Sequence, residues 1–444
     1  MTKDTKILMT FPVTASSHLL SEVRARGGYQ TIAKVLRELK PGDVTKEIVA
    51  SGIQGRGGAA FPAGRKWQVV DPNDGQPHYL IANADEGEPG TFKDRWILEN
   101  SPHTLLESML IAAYALAVRN AFVYIRGEFD QPYRRLAAAV EEAYAAGYFG
   151  QGILGSGFSC DMFIFRGAGA YVCGEASSLL SSIEGTRGYP RNRPPRLTVK
   201  GLFQRPTVVN NVETLSNLSW IMQHGAEEYR KVGTAKSPGT RLISISGHIE
   251  RPGVYEVEMG YSWAKFIYGV CGGVPNGRKL KAVIPGGISS QVLTGPDAKI
   301  MTPEEVESLT LDHDALWQMG SSMGSGGMIV IAEGTCMVRL LQVMLRFYHH
   351  ESCGQCTPCR EGMGWAHRVI DRIVAGQGRP EDIATLRYIS KFNDGTTICG
   401  LGDAAGYATV AFLDHFRDEF EYYIEHKRSK YDGRLECLPE AAHA

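Results

Sequence analysis

Between residues 51 and 237 the chain alternates short apolar runs with longer amphipathic segments of helical period. The predicted strands are Tyr79–Ala82, Ala121–Ile125 and Met162–Phe165, and the predicted helices are Leu105–Val118 and Tyr133–Ala146. Strands that alternate with helices of this length indicate an α/β fold with a mainly parallel sheet. Ligands of such sheets bind beyond the carboxyl ends of the strands, and glycine-rich loops follow several of these runs.

The pattern changes twice along the chain. Amphipathic helices precede the α/β region, and the segment Thr234–Thr240 is interpreted as a linker after it. Two alternating strands, a helix and a further strand then indicate a small α+β unit, and from Glu333 onward the sequence is almost wholly helical. We therefore expect three domains, at residues 1–236, 237–326 and 327–444.

Composition narrows the classes of function. The 444 residues include 47 Lys and Arg against 48 Asp and Glu, which argues against a protein that coats nucleic acid or an anionic membrane. Charged residues interrupt every apolar stretch long enough to span a bilayer, so no transmembrane helix is expected. The N-terminus lacks a secretion signal pattern, so we expect a cytoplasmic protein.

Four cysteines form the strongest chemical motif. Cys353, Cys356 and Cys359 have C-x2-C-x2-C spacing, and Cys399 supplies a fourth thiol. This set suits a [4Fe–4S] cluster, with a zinc ion bound by four thiolates as the alternative. The other five are interpreted as buried small hydrophobic residues: Cys160, Cys173, Cys271, Cys336 and Cys437.

A glycine-rich loop lies within Gly52–Trp67. Glycines allow close approach of the backbone to a phosphate or ring, while cations and an aromatic side chain add charge and a stacking face. The loop follows a predicted helix and not a strand, so it does not support a standard dinucleotide fingerprint. An ordinary surface loop remains the alternative. Its candidate residues are Gly55, Arg56, Gly57, Gly58, Phe61, Arg65 and Lys66.

Two further loops follow predicted strands. The first carries Asn83, Asp85, Glu86 and Glu88, whose oxygens could hold a divalent cation, accept hydrogen bonds from ribityl and ribose hydroxyls, or form a solvated acidic turn. The second opens a helix, where a phosphate could bind or Glu175 could cap the helix dipole. Its candidate residues are Tyr171, Gly174, Glu175 and Ala176.

Residues 186–205 carry six cations and no acid. Three prolines make this segment an extended loop, which favours an anionic cofactor or a partner surface over RNA. These cations are Arg187, Arg191, Arg193, Arg196, Lys200 and Arg205.

Taken together and in order, these motifs and the segment Val209–Leu215 resemble the flavin-bearing 51-kilodalton-type subunit of respiratory complex I, which is the F-type subunit family of NADH:quinone oxidoreductase. The same module occurs in soluble NAD(P)-linked formate dehydrogenases and hydrogenases. The resemblance covers roughly residues 20–430.

The resemblance implies an FMN-binding α/β domain, a ubiquitin-like β-grasp domain of the soluble-ligand-binding kind, and a helical bundle that carries one [4Fe–4S] cluster. Matching positions for FMN are Gly55, Gly57, Lys66, Asn83, Asp85, Tyr171, Gly174, Asn210, Asn211 and Thr214. Acidic residues around the flavin and nicotinamide match Glu86, Glu88 and Glu175, and Glu86 is the candidate for electrostatic tuning of the flavin. Phe61 matches an aromatic residue that stacks on the nucleotide, and Cys353, Cys356, Cys359 and Cys399 match the cluster ligands.

The implied reaction is hydride transfer from NADH to FMN, followed by single-electron transfer to the cluster and then to partner subunits. No catalytic acid, base or nucleophile is assigned. The implied partners are a thioredoxin-like [2Fe–2S] subunit and a large multi-cluster subunit, with membrane association on the cytoplasmic face only through the complex. The alternatives are a soluble formate dehydrogenase or hydrogenase and, more distantly, a zinc-stabilised scaffold without enzymatic activity.

The chain departs from the family pattern around the implied nucleotide. Ala176 stands where relatives usually carry a second glutamate, Arg196 where they carry a phenylalanine, and Val69 where they carry a further aromatic residue. Loss of a carboxylate removes repulsion of a 2′-phosphate, and Arg193 or Arg196 could pair with one. We therefore expect use of NADP(H) in addition to NAD(H). Neutral variation in an enzyme that still prefers NADH is the alternative.

Overall fold

The computed structural model describes residues 5–295 and 307–431. It contains two compact units. The first comprises the residues up to Gly87, Phe92–Ile243 and Val254–Tyr261, and the second comprises Glu88–Thr91, Ser244–Gly253 and the residues from Ser262 onward. Cys437 and the last part of the expected C-terminal domain lie outside the described residues.

Helices at the start of the first unit lead into the glycine-rich loop. Pro41 occupies the first turn of the third helix, where its missing N–H costs nothing, and Gly52 ends that helix with a left-handed φ of 69°. The prediction that the loop follows a helix is therefore confirmed. The helices are α1 Leu20–Ala25, α2 Gln30–Glu38, α3 Pro41–Ser51 and α4 Ala63–Trp67.

The first unit is built on a four-stranded sheet with the order β3-β2-β1-β4. All three strand pairs are parallel, which confirms the predicted parallel α/β fold. The strands are β1 His78–Ala84, β2 Val118–Ile125, β3 Asp161–Arg166 and β4 Thr207–Asn211. The helices are α5 Lys93–Asn100, α6 Pro102–Ala115, α7 Asp130–Ala145, α8 Ala176–Ile183, α9 Val212–Ser216, α10 Leu218–His224 and α11 Ala226–Arg230.

Two predicted helix boundaries are wrong. The helix expected over Leu105–Val118 ends at Ala115, because Ala117 turns the chain with a left-handed φ of 54° and Val118 already begins β2. The apolar run continues through this turn, so the pattern of hydrophobicity did not reveal it. The helical pattern of the sequence also predicts one continuous helix over Asp403–His426. The structure divides this stretch at Phe416, whose side chain is buried and whose φ of −126° is not helical.

The second unit contains a mixed sheet. Its strands have the order β6-β5-β9-β7-β8. β5 pairs in parallel with β9, whereas β7 pairs antiparallel with both β9 and β8. The strands are β5 Thr240–Gly247, β6 Gly253–Glu258, β7 Leu280–Ile284, β8 Leu293–Thr294 and β9 Gly327–Ala332. A π-helix at Lys265–Val270 and α12 at His313–Gln318 connect them.

The C-terminal part of the second unit is helical, as predicted. Each of the first four helices packs against the next, and α13 also packs against α16, so they form a bundle. The helices are α13 Met337–Glu351, α14 Thr357–Arg372, α15 Asp382–Asn393, α16 Gly400–His415 and α17 Arg417–His426. Among the described residues, no helix combines the length and apolarity that a membrane span requires.

Candidate functional site

The order of the strands creates a switch point between β1 and β4. From the central strand β1 the chain builds β2 and β3 on one side and then returns to place β4 on the other. Ala82 lies opposite Asn210, and Asn83 opposite Asn211, so the polar ends of these two strands are adjacent. Open parallel sheets bind ligands at such a point. The fold therefore brings together candidate residues that are more than 120 positions apart in sequence.

The glycine-rich loop closes over the end of β4. Its two sides meet through a bridge between Gln54 and Pro62 and through the Gly55 N–H, which donates to the Phe61 carbonyl oxygen at 2.9 Å. The Arg56 N–H donates to the Thr214 hydroxyl at 2.8 Å. A Cβ at Gly57 would lie 3.1 Å from the Cβ of Asn211, which is a tight contact, so glycine favours the close approach of this loop to the end of β4.

Lys66 lies beside the same strand. Its ammonium donates to the Val209 carbonyl oxygen at 3.2 Å. Burial, with a smaller contribution from the nearby Arg193 cation, lowers the pKa of Lys66. A bound anion would offset both effects, so this position suits an anionic cofactor.

The loop that opens α8 packs on the end of β1. The Asn83 amide donates to the Gly174 carbonyl oxygen at 2.8 Å, and a Cβ at Gly174 would lie 3.3 Å from the Asp85 carbonyl oxygen. Tyr171 approaches the acidic loop that follows β1, since a Cβ at Gly87 would lie 3.1 Å from the Tyr171 ring. These contacts place the candidate residues of two loops against each other.

Glu175 caps α8. Its carboxylate accepts from the N–H groups of Ser177 at 2.8 Å and Ser178 at 3.0 Å, and Arg193 donates to its other oxygen at 2.7 Å. Ala176 is the first residue of this helix. Arg193 is thus held at the start of α8, where the helix dipole also favours negative charge.

The acidic loop is divided between the two units. Glu86 is buried in the first, where its carboxylate accepts from the N–H groups of Asp94 at 2.9 Å and Arg95 at 3.0 Å. It therefore caps α5 and does not belong to a solvated turn. Burial, reinforced by Asp94, raises the pKa of Glu86 to about 8. Glu88 belongs to the second unit and accepts from the N–H and hydroxyl of Ser289 at 2.7 and 2.8 Å.

Other candidates differ in exposure. The Arg56 guanidinium is fully buried and donates to the Pro238 carbonyl oxygen at 3.0 Å. Phe61 keeps 47% of its surface exposed, and Arg196 is also exposed. Gly58 adopts a left-handed φ of 133°. Phe61 and Arg196 are therefore available to a ligand, whereas the hydrogen bond of the Arg56 side chain stabilises the fold.

A buried ionic cluster beside this site was missed by sequence reasoning. The Lys93 ammonium pairs with Asp94 and Glu213, both at 2.8 Å, and all three side chains are buried. Asn211 donates to the Asp94 carboxylate at 2.6 Å. The sequence could have indicated this cluster only through charged residues that stand inside the motifs, next to residues that are buried.

The four candidate cluster cysteines lie at two helix starts in the second unit. Cys356 is the N-cap of α14, Cys359 lies in its first turn, and Cys399 is the N-cap of α16. The Ile398 N–H donates to the Cys356 sulfur at 3.3 Å, so the two helix starts adjoin. Backbone N–H groups and helix dipoles at such positions favour negatively charged sulfur.

The four thiols also act on one another electrostatically. Burial raises the pKa of Cys399 to about 11, and the sulfurs of Cys353, Cys356 and Cys359 add to that increase. Bound iron would reverse this effect, since metal ligation deprotonates thiols. Within residues 5–295 and 307–431, no three His, Cys, Asp or Glu side chains are close enough to chelate one metal ion. A cubane cluster, however, attaches each thiolate to a different iron.

The remaining cysteines agree with their interpretation as hydrophobic residues where they are described. Cys160, Cys173, Cys271 and Cys336 are buried free thiols.

Comparison with known proteins identifies both regions. Residues 48–220 match the Nuo51 FMN-binding domain, and residues 339–423 match the NADH-ubiquinone oxidoreductase-F iron-sulfur binding region. An F-type subunit of the NADH-quinone oxidoreductase of Rhizobium meliloti (strain 1021) is 47% identical over 411 residues, which are 93% of this chain and 96% of that protein. The chain belongs to the F-type subunit family of NADH-quinone oxidoreductases. The resemblance stated from the motifs is thereby confirmed, as is an oxidoreductase with FMN and [4Fe–4S] cofactors.

Other relatives agree with this assignment. The F-type subunit of the NADH-quinone oxidoreductase of Mycobacterium tuberculosis (strain H37Rv) is 43% identical over 93% of this chain and 91% of its own length. The mitochondrial NADH dehydrogenase [ubiquinone] flavoprotein 1 of Dictyostelium discoideum is 42% identical over 90% of this chain and 82% of its own length. Among solved structures, an NAD+-reducing [NiFe]-hydrogenase in the H2-reduced state matches with a TM-score of 0.79 and 33% identity. That match covers 94% of this chain but only 65% of the hydrogenase chain.

Proposed function

We propose that this member of the family is the NADH-oxidising flavin subunit of a respiratory complex I. The observation that carries the proposal is its similarity to F-type subunits of NADH-quinone oxidoreductases over nearly the full length of both chains. The hydrogenase match supports a second candidate, the diaphorase subunit of a soluble hydrogenase or formate dehydrogenase.

FMN is proposed to bind at the switch point between β1 and β4. When bound, FMN couples a two-electron hydride donor to a one-electron acceptor. The glycine loop and Lys66 accommodate its negative charge, and the polar ends of the two strands orient its hydroxyl groups. The proposed binding residues in the first unit are Gly55, Arg56, Gly57, Gly58, Lys66, Asn83, Asp85, Glu86, Tyr171, Gly174, Asn210, Asn211 and Thr214.

The nicotinamide nucleotide is proposed to stack on Phe61, with Glu175 as an acidic neighbour in the same unit. Glu88, which belongs to the second unit, remains a candidate through the family resemblance alone. The exposed ring of Phe61 and the position of Arg193 at the start of α8 support this proposal. Ala176, Arg193 and Arg196 extend it to NADP(H), because a 2′-phosphate meets one carboxylate fewer and could pair with Arg193 or Arg196. No side chain is assigned as an acid or base.

The expected three domains remain a proposal: residues 1–236 for FMN, 237–326 as the ubiquitin-like β-grasp domain, and 327–444 as the cluster-bearing bundle. The second sheet supports the β-grasp assignment, since its first and last strands, β5 and β9, pair in parallel and β7 lies antiparallel to β9. The adjoining helix starts at Cys356 and Cys399 support a cluster held by Cys353, Cys356, Cys359 and Cys399.

Electrons must leave this chain, because its sequence offers one cluster motif. We propose a thioredoxin-like [2Fe–2S] subunit and a large multi-cluster subunit as partners. The protein would then be peripheral on the cytoplasmic face of the inner membrane, attached through the complex.

Purification of the tagged full chain without oxygen tests these proposals. We expect flavin absorbance together with a broad iron–sulfur shoulder, and mass spectrometry should identify membrane subunits of complex I among the co-purified proteins. A molybdenum or nickel subunit in their place would establish the second candidate. A colourless, zinc-containing protein would contradict both.

A further inference from the structure

Six buried charged residues connect the ends of β1 and β4 in the first unit. They are Arg56, Glu86, Lys93, Asp94, Glu213 and Arg241. Lys93 pairs with Asp94 and Glu213 at 2.8 Å, and Arg241 interacts favourably with Glu213 while donating to the Arg56 carbonyl oxygen at 3.5 Å. The group thus holds three carboxyls and three basic side chains, whose formal charges cancel when every member is ionised.

Glu86 is the carboxyl with the weakest compensation in this group. Its oxygens accept from two backbone N–H groups, whereas Asp94 and Glu213 both contact the Lys93 ammonium. Burial and the negative charge of Asp94 favour the neutral form of Glu86. Lys93 and the two N–H groups favour its charged form, but their combined effect is smaller. Burial lowers the pKa of Arg241 only to about 10, so that guanidinium stays charged near neutral pH.

The other charged groups around Glu86 are satisfied elsewhere. Arg126, from the loop after β2, donates to the Glu86 carbonyl oxygen at 2.9 Å and pairs with Glu128 at 2.9 Å. Arg95 directs its guanidinium to Glu99 at 2.8 Å and offers Glu86 only its backbone N–H. A proton on Glu86 is therefore the simplest way to change the charge of the cluster.

Asn211 links the cluster to the proposed FMN site. Its amide nitrogen donates to Asp94 at 2.6 Å, and its oxygen accepts from Lys93 at 3.4 Å and from the Glu213 N–H at 3.0 Å. The same residue lies against Gly57 of the glycine loop. A negative charge placed at this loop would act on a cluster of buried side chains, where electrostatic interactions are stronger than in water.

We propose that FMN binding draws a proton from solvent onto the Glu86 carboxylate, and that the resulting positive charge of the cluster offsets the negative charge of the cofactor. This inference rests on the proposed function, since it requires FMN at the β1–β4 switch point. An anion stabilises the protonated carboxyl and raises its proton affinity. Uptake is therefore small where Glu86 is already protonated without FMN, and it is largest between the pKa of Glu86 in the flavin-free protein and its higher pKa with FMN bound. FMN affinity falls as pH rises through this range, by up to about tenfold per pH unit.

Calorimetric titration of FMN into the flavin-free full chain measures the uptake directly. Comparison of two buffers with different ionisation enthalpies gives the number of protons bound. We expect a substantial fraction of a proton at about pH 8.5 and much less at about pH 7, where most of the FMN phosphate already carries its second charge. Glu86→Gln should abolish the uptake at the higher pH.

Glu107→Gln is the matched control. Glu107 is also buried with its pKa raised by burial, but it accepts from the Ile32 N–H and the Ser219 hydroxyl, both at 3.1 Å, and belongs to a different part of the unit. This variant should keep the wild-type uptake.

Two results would overturn the inference: FMN that binds the wild type without proton uptake at either pH, or uptake that persists in Glu86→Gln. Infrared difference spectra of the wild type, recorded on FMN binding at about pH 8.5 with 13C-labelled glutamate, provide a test that does not depend on folding of the variant. They should show a gained carboxylic-acid band, and its absence would also overturn the inference. Failure of FMN to bind at all would instead contradict the proposed function on which the inference rests.

Discussion

Removal of the Lys93 ammonium should strongly destabilise the first unit. Lys93 is fully buried, with Asp94 and Glu213 each 2.8 Å from its nitrogen and the Asn211 oxygen at 3.4 Å. Lys93→Met keeps much of the side-chain volume but leaves two buried carboxylates without their shared cation. Breaking a buried ion pair in this way costs about 3–5 kcal/mol.

The sign of the pH dependence follows from the same contacts. Burial already raises the pKa of Asp94 in the folded state, and without the cation that pKa rises further above its value in the unfolded chain. The folded state then binds more protons than the unfolded state, so its stability decreases as pH rises between these two pKa values. The loss should therefore be larger near neutral pH than at about pH 5.

Hydrogen exchange of the full chain, read on peptides from β1 and α5, measures the opening free energy of this region. Lys93→Met should lower it by about 3–5 kcal/mol, and adding Glu213→Gln should recover at least about 1 kcal/mol, because one of the unpaired charges is removed. The control is Lys231→Met, which breaks a solvent-exposed pair with Glu228 and should leave the opening free energy of these peptides unchanged. A loss below about 1 kcal/mol for Lys93→Met, or no recovery in the double variant, would refute the reasoning.

Four further variants test the proposed sites. Cys399→Ser should lose the [4Fe–4S] signal in electron paramagnetic resonance while FMN remains bound, since serine oxygen is a poor ligand for this soft site; an intact signal would remove Cys399 from the ligand set. Lys66→Glu should purify with little FMN because it places a negative charge against an anionic cofactor, whereas Arg65→Glu, at the exposed neighbouring position, should retain it; full occupancy in Lys66→Glu would contradict the assigned role. Ala176→Glu should lower kcat/KM for NADPH much more than for NADH, and Arg196→Phe should shift the ratio in the same direction; unchanged ratios in both variants would exclude these residues from nucleotide selection.

The parallel sheet was predictable because its strands are apolar runs separated by helices of sufficient length. The strand order was not, since nothing local distinguishes β4 as the partner of β1. Without that order, the Asn83 and Asn211 loops could be grouped only by resemblance to a family. The structure gives the physical reason for the grouping, which is that both loops leave adjacent strands at the same end.

The cluster cysteines were predictable from spacing alone for three of the four ligands. Cys399 lies 40 residues beyond Cys359, and only the packing of α14, α15 and α16 brings its helix start to that of Cys356. The ionic cluster around Lys93 was not predictable, because an analysis of hydrophobic periodicity assigns every charged residue to the protein surface. Burial of these charges depends on mutual pairing across α5, β4 and α9, which a linear pattern does not record.

Asn211 shows how the buried cluster and the proposed cofactor site depend on each other. It caps α9 through the N–H groups of Glu213 and Thr214, donates to Asp94, and lies against Gly57 of the glycine loop. A satisfied polar network in a low-dielectric interior is rigid, since each displaced group would lose hydrogen bonds that no water replaces. The glycine loop is therefore held against the end of β4 by buried electrostatics as well as by its own backbone. A site built in this way needs little reorganisation when an anion binds, so its response to charge can be proton uptake at Glu86 with little movement of the loop.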